Sequence, residues 1–132
     1  MKNNFNLKIY GITTVGAKGQ IIIPKEARDD FDIIIGNEYE LAMIDKKTFG
    51  IGSTINYKIL KFAKTLGLIE KQGFIKIGTK FQFVIPSNVR KEIYIKTGDN
   101  LLVIGKLDHK GLGFIKNDNI EYLFEYIKKN MN

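Results

Sequence analysis

The sequence has no cysteine and a single histidine, His109, among its 132 residues. Without cysteine the chain cannot form disulfides, thiolate metal sites or a thiol nucleophile, so its stability must come from packing. One histidine alone cannot assemble the converging ligands that a zinc site needs. The sequence also contains no phosphate-cradling GxxxxGK loop and no nucleophile elbow. We therefore expect neither an enzyme nor a bound metal or cofactor.

Long apolar runs are missing as well. Charged residues break the apolar stretches every few positions, and none reaches the ~18 to 20 residues that a membrane-spanning helix requires. The first segment, MKNNFNLKIYG, lacks the continuous apolar stretch of roughly 7 to 15 residues that a signal peptide contains. We expect a cytoplasmic protein that does not associate with membranes.

Arginine is scarce, because only Arg28 and Arg90 occur among the 21 lysine and arginine residues. The net charge of +7 favours a polyanionic partner such as nucleic acid. This charge is unevenly divided along the chain, with −2 over residues 11–53 and +4 over residues 73–115. On this count the second segment attracts phosphate more strongly than the first.

One motif occurs twice in the chain, at a constant offset of 62 residues. It reads GAKGQIIIPKEAR over residues 16–28 and GTKFQFVIPSNVR over residues 78–90. The shared residues are Lys18, Gln20, Ile23, Pro24 and Arg28 in the first copy and Lys80, Gln82, Ile85, Pro86 and Arg90 in the second. Because the register continues without a gap to Leu41, the self-similarity indicates a duplicated structural unit.

Each copy predicts the order strand, strand, short helix, strand, strand. In the first copy, residues 13–15 and 20–23 are β-branched runs separated by a glycine-containing turn, which indicates a hairpin. Pro24 suits the first position of a helix, since the missing amide would have no helical partner there. The apolar trios at 21–23 and 83–85 do not alternate with polar residues, and we expect them to belong to the core.

A half of about forty residues would leave strand edges unpaired and could not bury a core alone. We therefore divide the chain into a first half (11–53), a connector (54–72), a second half (73–116) and a C-terminal segment (117–132), and we expect the two halves to intertwine in one domain. Apolar residues at helical spacing predict amphipathic helices over 55–67 and 118–130. These two helices are candidate surfaces for self-association.

The first copy resembles the swapped-hairpin domain of the AbrB/SpoVT/MazE type. It has the Lys-Gly-Gln turn, the apolar strand that ends in proline, the arginine in the next helical turn, and Gly-Asn before the third strand. The second copy follows the same pattern but has Phe81 where the family prefers glycine. A side chain opposes the left-handed backbone that glycine allows, so the second turn need not adopt the geometry of the first.

The resemblance implies both a fold and a function. In this family, two chains each contribute one half to an interleaved β-barrel that binds DNA, whereas here one chain holds both halves. We expect a mainly β protein with short helices (a β-rich α+β fold), built as a swapped-hairpin, AbrB-like β-barrel from an intrachain pseudo-dimer, with two added amphipathic helices. The resemblance implies transcriptional regulators and antitoxins as the functional classes.

The candidate DNA-binding residues lie in and after the two turns. They are Lys18, Gln20, Lys25, Arg28, Lys80, Gln82, Arg90 and Lys91. Ammonium and amide groups of a β-element can reach phosphates and base edges, and arginine binds phosphate or guanine with two parallel hydrogen bonds. Two other interpretations stay open: the turns are only solvated loops, and each arginine pairs with a carboxylate of its own chain, such as Asp29.

Double-stranded DNA is the partner that the motif and the charge favour, bound by a transcriptional regulator or an architectural protein without a cofactor. The alternative is a protein-binding module, such as an antitoxin-like partner of a toxin-like protein. Family antitoxins typically carry an extended tail that wraps the toxin, whereas this sequence ends in a predicted amphipathic helix. We therefore rank DNA binding first.

Overall fold

The described residues are mainly β, with two short helices. The computed structural model describes residues 7–44, 48–52, 70–106 and 111–116. The first half contains β1 (Leu7–Thr14), β2 (Gln20–Ile22), α1 (Lys25–Asp30), β3 (Glu38–Met43) and β4 (Thr48–Gly52). The second contains β5 (Glu70–Lys76), β6 (Gln82–Val84), α2 (Ser87–Ile93), β7 (Asn100–Lys106) and β8 (Gly111–Lys116). The predicted order of elements is confirmed in both halves, while His109 and the predicted helices over 55–67 and 118–130 lie outside the described residues.

Strands from both halves share one antiparallel sheet of six strands, in the order β1-β7-β8-β4-β3-β5. β1 of the first half pairs with β7 of the second, and β5 of the second half pairs with β3 of the first. β2 and β6 pair only with each other, with Ile21 opposite Phe83 at the centre. We call this two-stranded sheet the ribbon. Each half therefore supplies strand partners that the other half lacks.

The predicted closed β-barrel is wrong, and so is the predicted hairpin between β1 and β2. β1 and β5 are the two edges of the six-stranded sheet and do not pair with each other, so the sheet is open. After its edge strand, each half turns out of the sheet into the ribbon, where its backbone bonds are made with the other half. Bulges at residues 10–11 of β1 and 72–73 of β5 interrupt the register of the edge strands. Such bulges twist an edge strand away from further pairing, which opposes closure.

Both helices begin directly after a proline. Pro24 and Pro86 are the N-caps rather than the first helical residues, so each helix starts one residue later than predicted. Their carbonyls accept hydrogen bonds from the amides of Arg28 and Arg90 at 3.1 and 3.0 Å. Within the described part of the chain, no helix is long and apolar enough to cross a membrane. The helices are short enough to serve as connections that carry the chain from the ribbon back to the six-stranded sheet.

Three phenylalanines join the ribbon to the six-stranded sheet. Phe114 of β8 stacks on Phe49 of β4 with ring centroids 5.0 Å apart, and Phe83 of the ribbon meets Phe114 edge-on at 5.6 Å. All three rings are buried. Aromatic pairs of this kind contribute about 0.5 to 1.5 kcal/mol beyond the burial of their area. This cluster therefore holds the ribbon against the sheet.

The middle residue of each apolar trio lies outside the core, contrary to the prediction. Ile22 and Val84 are 49% and 51% exposed, whereas the residues on either side of them are buried. The two strands thus alternate between the core and solvent in the ordinary way, although every residue of the trio is apolar. As a result, the outer face of the ribbon presents two β-branched side chains to solvent.

We predict that Phe114→Ala lowers the free energy of unfolding by about 3 to 5 kcal/mol, because it leaves a cavity at the contact between the ribbon and the sheet. Chemical denaturation of the full-length chain measures this change. Phe74→Ala is the control, since Phe74 is 66% exposed and a surface substitution changes stability by about 0.5 kcal/mol or less. Equal losses in the two variants would contradict the role of the phenylalanine cluster.

Candidate nucleic-acid interface

Two five-residue turns of the same geometry lead into the ribbon. In the Gly19 turn (residues 16–20), the amide of Gly16 donates to the carbonyl of Gln20 at 2.8 Å, and the amide of Gly19 donates to the carbonyl of Gly16 at 3.0 Å. The Phe81 turn (residues 78–82) repeats both bonds at the same distances. Lys18 and Lys80 occupy the exposed tips of these turns. The duplicated sequence therefore produces duplicated local structure, including at the position where glycine is replaced.

Phe81 adopts the left-handed backbone of its glycine counterpart, with φ of 55° compared with 79° for Gly19. This conformation costs a residue with a Cβ roughly 1 to 2 kcal/mol. The Phe81 ring packs against the core and lies under the guanidinium of Arg28, whose Cζ is 4.5 Å from the ring centroid. Burial and the cation–π contact, the latter about 0.5 to 2 kcal/mol, offset the strain.

Gln20 and Gln82 stabilise the turns in which they lie. The side-chain oxygen Oε1 of Gln20 accepts a hydrogen bond from the backbone amide of Lys18 at 2.8 Å. Gln82 Oε1 accepts the equivalent bond from Lys80 at 2.7 Å. Both glutamines therefore hold the backbone beneath the two lysines, a structural role that differs from the predicted contact with DNA.

Arg28 lies against the turn of the other half. Its Nε donates to the carbonyl of Ile23 at 2.7 Å. The amide of Ile23 in turn donates to the carbonyl of Phe81 at 2.9 Å, which extends the ribbon pairing to the Phe81 turn. Lys80 and Arg28 are thus brought to the same end of the ribbon, although they belong to different halves of the sequence.

Arg90 occupies the equivalent place at the opposite end of the ribbon. Its Nε donates to the carbonyl of Ile85 at 2.9 Å, and the amide of Ile85 donates to the carbonyl of Gly19 at 2.9 Å. The guanidinium lies so close to Gly19 that a Cβ on that residue would stand 2.7 Å from the Arg90 Cζ. A side chain at residue 19 would therefore require the Arg90 guanidinium to move, as Arg28 has room to do above Phe81.

Lys25 and Lys91 are exposed on the helices that follow the ribbon strands. Lys25 is the first residue of α1, and Lys91 lies in α2 directly after Arg90. Neither arginine forms an ion pair with a carboxylate among the described residues, where the ion pairs are Lys8 with Glu26 and Asp30, and Lys116 with Asp99. The interpretation that nearby carboxylates neutralise the arginines is therefore unsupported in this part of the chain.

A polar network that the sequence did not predict engages two of the carboxylates of α1. Lys8 donates to Glu26 at 2.8 Å and to Asp30 at 2.9 Å, and the Tyr10 hydroxyl donates to Asp30 at 2.8 Å. These partners are about twenty residues apart in sequence, and only the pairing of β1 with its sheet brings them together. Across the described ranges, no cluster of histidine, aspartate and glutamate is suited to hold a metal ion.

The network changes the titration of its members. Hydrogen bonds to Glu26 and Asp30 raise the pKa of Lys8. Bonds from Lys8 and Tyr10 lower the pKa of Asp30 below its ordinary value of 3.8. Burial, reinforced by the bond to Asp30, raises the pKa of Tyr10 to about 12. The ionised carboxylate of Asp30 is therefore favoured in the folded chain, and it ties β1 to α1.

We predict that Asp30→Asn reduces the loss of thermal stability between pH 5 and pH 3. Because the pKa of Asp30 is lower in the folded chain than in the unfolded chain, the carboxylate stabilises the fold above pH 3.8, and this contribution is lost as the pH falls through the folded-state pKa. Melting temperatures of the wild type and the variant at both pH values measure the difference. Asp29→Asn changes an exposed neighbour outside the network and should keep the wild-type dependence of melting temperature on pH. An equally weak pH dependence in both variants would contradict the role of Asp30.

Comparison with known proteins adds no functional information. No protein-family model matches the chain, and no curated protein sequence matches it. Among solved structures, the chain is similar to the solution structure of PHS018 from Pyrococcus horikoshii, with 18% identity over 83% of this chain and 90% of that chain, and a TM-score of 0.41. At this level of similarity, neither fold nor function is transferred from that protein to this one.

Proposed function

We propose that this chain is a cytoplasmic, AbrB-like DNA-binding protein, a transcriptional regulator or an architectural protein, that binds duplex DNA through the ribbon and its two turns without a cofactor. One observation carries the proposal. At each end of the ribbon, an exposed lysine from one half and an arginine from the other half border a turn of the same geometry. Together with the net charge of +7, this arrangement suits a partner with regularly spaced phosphates.

The dimensions of the ribbon are compatible with the major groove. Gly19 lies opposite Ile85 and Phe81 lies opposite Ile23, so four steps of the ladder separate the two turns. At about 3.3 Å per residue, this is a distance of ~13 Å. The major groove is about 12 Å wide and admits a two-stranded ribbon. The two basic turns can therefore face the phosphates on opposite sides of one groove.

The two arginines are already oriented for binding. Nε of each guanidinium is bound to a backbone carbonyl, of Ile23 or of Ile85. The terminal nitrogens keep the donor pairs that grip a phosphate or a guanine edge. Because the side chain is held in place before binding, it loses less conformational entropy when DNA binds.

The outer face of the ribbon supports the same proposal. Ile22 and Val84 expose apolar surface between the two basic turns. Apolar side chains in the major groove contact the methyl group of thymine. In this arrangement, the turns position the protein on the phosphates and the centre of the ribbon faces the bases.

An antitoxin-like protein partner is the second candidate. Ile34, Ile35 and Phe74 are exposed large apolar side chains, and such residues are common where proteins bind one another. Self-association through the predicted helices over 55–67 and 118–130 stays a separate prediction. Recovery of a stoichiometric protein partner by a chain that retains no DNA would favour this second candidate over the first.

We predict that the full-length chain binds duplex DNA with a strong salt dependence. Each neutralised phosphate contributes about −0.9 to the slope of log K against log salt concentration, so four contacts from Lys18, Lys80, Arg28 and Arg90 give a slope of at least roughly −3.6 in magnitude, and further contacts make it steeper. Fluorescence anisotropy with a labelled duplex between about 50 and 200 mM salt measures this slope. Absence of binding, or binding that does not change with salt, would contradict the proposal.

Two double variants distinguish the contribution of positive charge to DNA binding from that of the planar arginine side chains. Lys18→Ala/Lys80→Ala should reduce the magnitude of the slope by about 1.8, because two phosphate contacts are lost. Arg28→Lys/Arg90→Lys keeps both charges but loses the planar fork, so it should weaken binding while leaving the slope almost unchanged. A lysine pair that binds as well as the original arginines would show that the fixed guanidinium geometry is unimportant.

A further inference from the structure

The two ends of the ribbon differ in charge although their backbones match. We define the Gly19 end as residues 16–20 with 87–97, and the Phe81 end as residues 78–82 with 25–35. These segments correspond position by position at the offset of 62 residues. Over these segments the Gly19 end carries a net charge of +3, whereas the Phe81 end carries −1, or 0 when Lys8, which pairs with Glu26 and Asp30, is included. Each end combines a turn from one half of the sequence with a helix and loop from the other half. The charge of an end therefore differs from the net charge of either half.

At the Gly19 end, a loop with an exposed lysine is fixed against the turn. The hydroxyl of Thr97 donates to the carbonyl of Gly16 at 3.3 Å, which ties this loop to the Gly19 turn. The amide of Lys96 donates to the carboxylate of Asp99 at 2.8 Å, so the backbone beside Thr97 is also held. Lys96 and Lys91 are both exposed. Lys18 lies in the Gly19 turn, Arg90 borders it, and Lys91 and Lys96 are the sequence neighbours of two residues that contact it, Arg90 and Thr97.

At the Phe81 end, the positions that match Lys91 and Lys96 are acidic and apolar, although Lys25 stands where the other end has Ser87. Asp29 stands where the other end has Lys91, and Ile34 stands where it has Lys96. Lys8 approaches this end, but its ammonium is engaged by Glu26 and Asp30. The ring of Phe81 covers one face of the Arg28 guanidinium at 4.5 Å, whereas the Arg90 guanidinium lies beside Gly19, which has no side chain.

The charge difference between the two ends affects only phosphates that lie close to each end. At physiological ionic strength, the field of an exposed charge falls off over about 8 Å, which is less than the ~13 Å that separates the two turns along the ribbon. A phosphate near one end is therefore attracted mainly by the charges of that end. The net charge of the whole chain does not equalise the two ends.

From this asymmetry we infer that the Gly19 end is the phosphate anchor of the interface. Lys18, Arg90, Lys91 and Lys96 bind neighbouring phosphates of the DNA backbone, and the Phe81 end makes fewer phosphate contacts. The inference rests on the proposed DNA binding and extends it. A single chain with one anchoring end binds a duplex in one orientation, so its site lacks the palindromic symmetry that identical half-sites produce.

A matched pair of double variants tests the anchor. Lys91→Ala/Lys96→Ala removes two exposed lysines from the Gly19 end, and Lys25→Ala/Lys80→Ala removes two from the Phe81 end. The full-length proteins are titrated against the same labelled duplex over a range of salt concentrations. The first variant is expected to lose about 1.8 from the magnitude of the salt slope and roughly tenfold in affinity. The second is expected to lose about half of that slope change, because of its two lysines only Lys80 contacts a phosphate.

The outcomes distinguish the anchor from DNA binding itself. Equal losses in the two variants, or a larger loss at the Phe81 end, would overturn the anchor while leaving DNA binding intact. A wild-type chain without salt-dependent binding would instead overturn the proposed function. The reciprocal variant Asp29→Lys/Ile34→Lys gives an answer even when the alanine variants fold poorly: it is expected to strengthen binding and steepen the slope, and an unchanged slope would contradict the inference.

Discussion

The antiparallel pairing of β2 with β6 is the interaction on which the arrangement of this protein depends. The ladder is short, with three residues in each strand, yet it joins segments 62 residues apart. Its two end bonds, from Ile23 to Phe81 and from Ile85 to Gly19, set both turns against the opposite half. Phe83 anchors the same ribbon on the six-stranded sheet through its edge-on contact with Phe114.

This pairing also decides which charges act together. Without it, Arg28 would be grouped with Lys18 and Arg90 with Lys80, as their positions in the repeat indicate. In the folded chain each arginine lies against the turn of the other half. Arg90, which is followed by Lys91, contacts the Gly19 turn, and Arg28, which is followed by Asp29, contacts the Phe81 turn. The comparison of −2 with +4 for the two halves therefore does not describe the electrostatic field at either end.

Because both copies lie within one chain, their side chains can differ while their backbone conformation stays the same. Phe81 has the same left-handed backbone conformation as Gly19, and its ring packs between the core and the guanidinium of Arg28. At the other end, the Arg90 guanidinium occupies the space beside Gly19 that a side chain would need. In a symmetric homodimer any such substitution would occur at both ends, whereas in this chain each end of the ribbon has a different set of side chains around its turn.

The sequence by itself determined the order of elements, the presence of a short helix at Pro24 and at Pro86, and the exposed lysines at the two turns, because each depends on neighbouring residues. Tertiary structure decided the strand partners, the open sheet, the exposure of Ile22 and Val84, and the position of each arginine on the other half's turn. Local patterns favour a strand but do not specify which distant strand pairs with it, since any strand edge offers the same backbone donors and acceptors. The network of Lys8, Tyr10 and Asp30 left no signal in the sequence for the same reason: its members become neighbours only when β1 joins the strands of the second half.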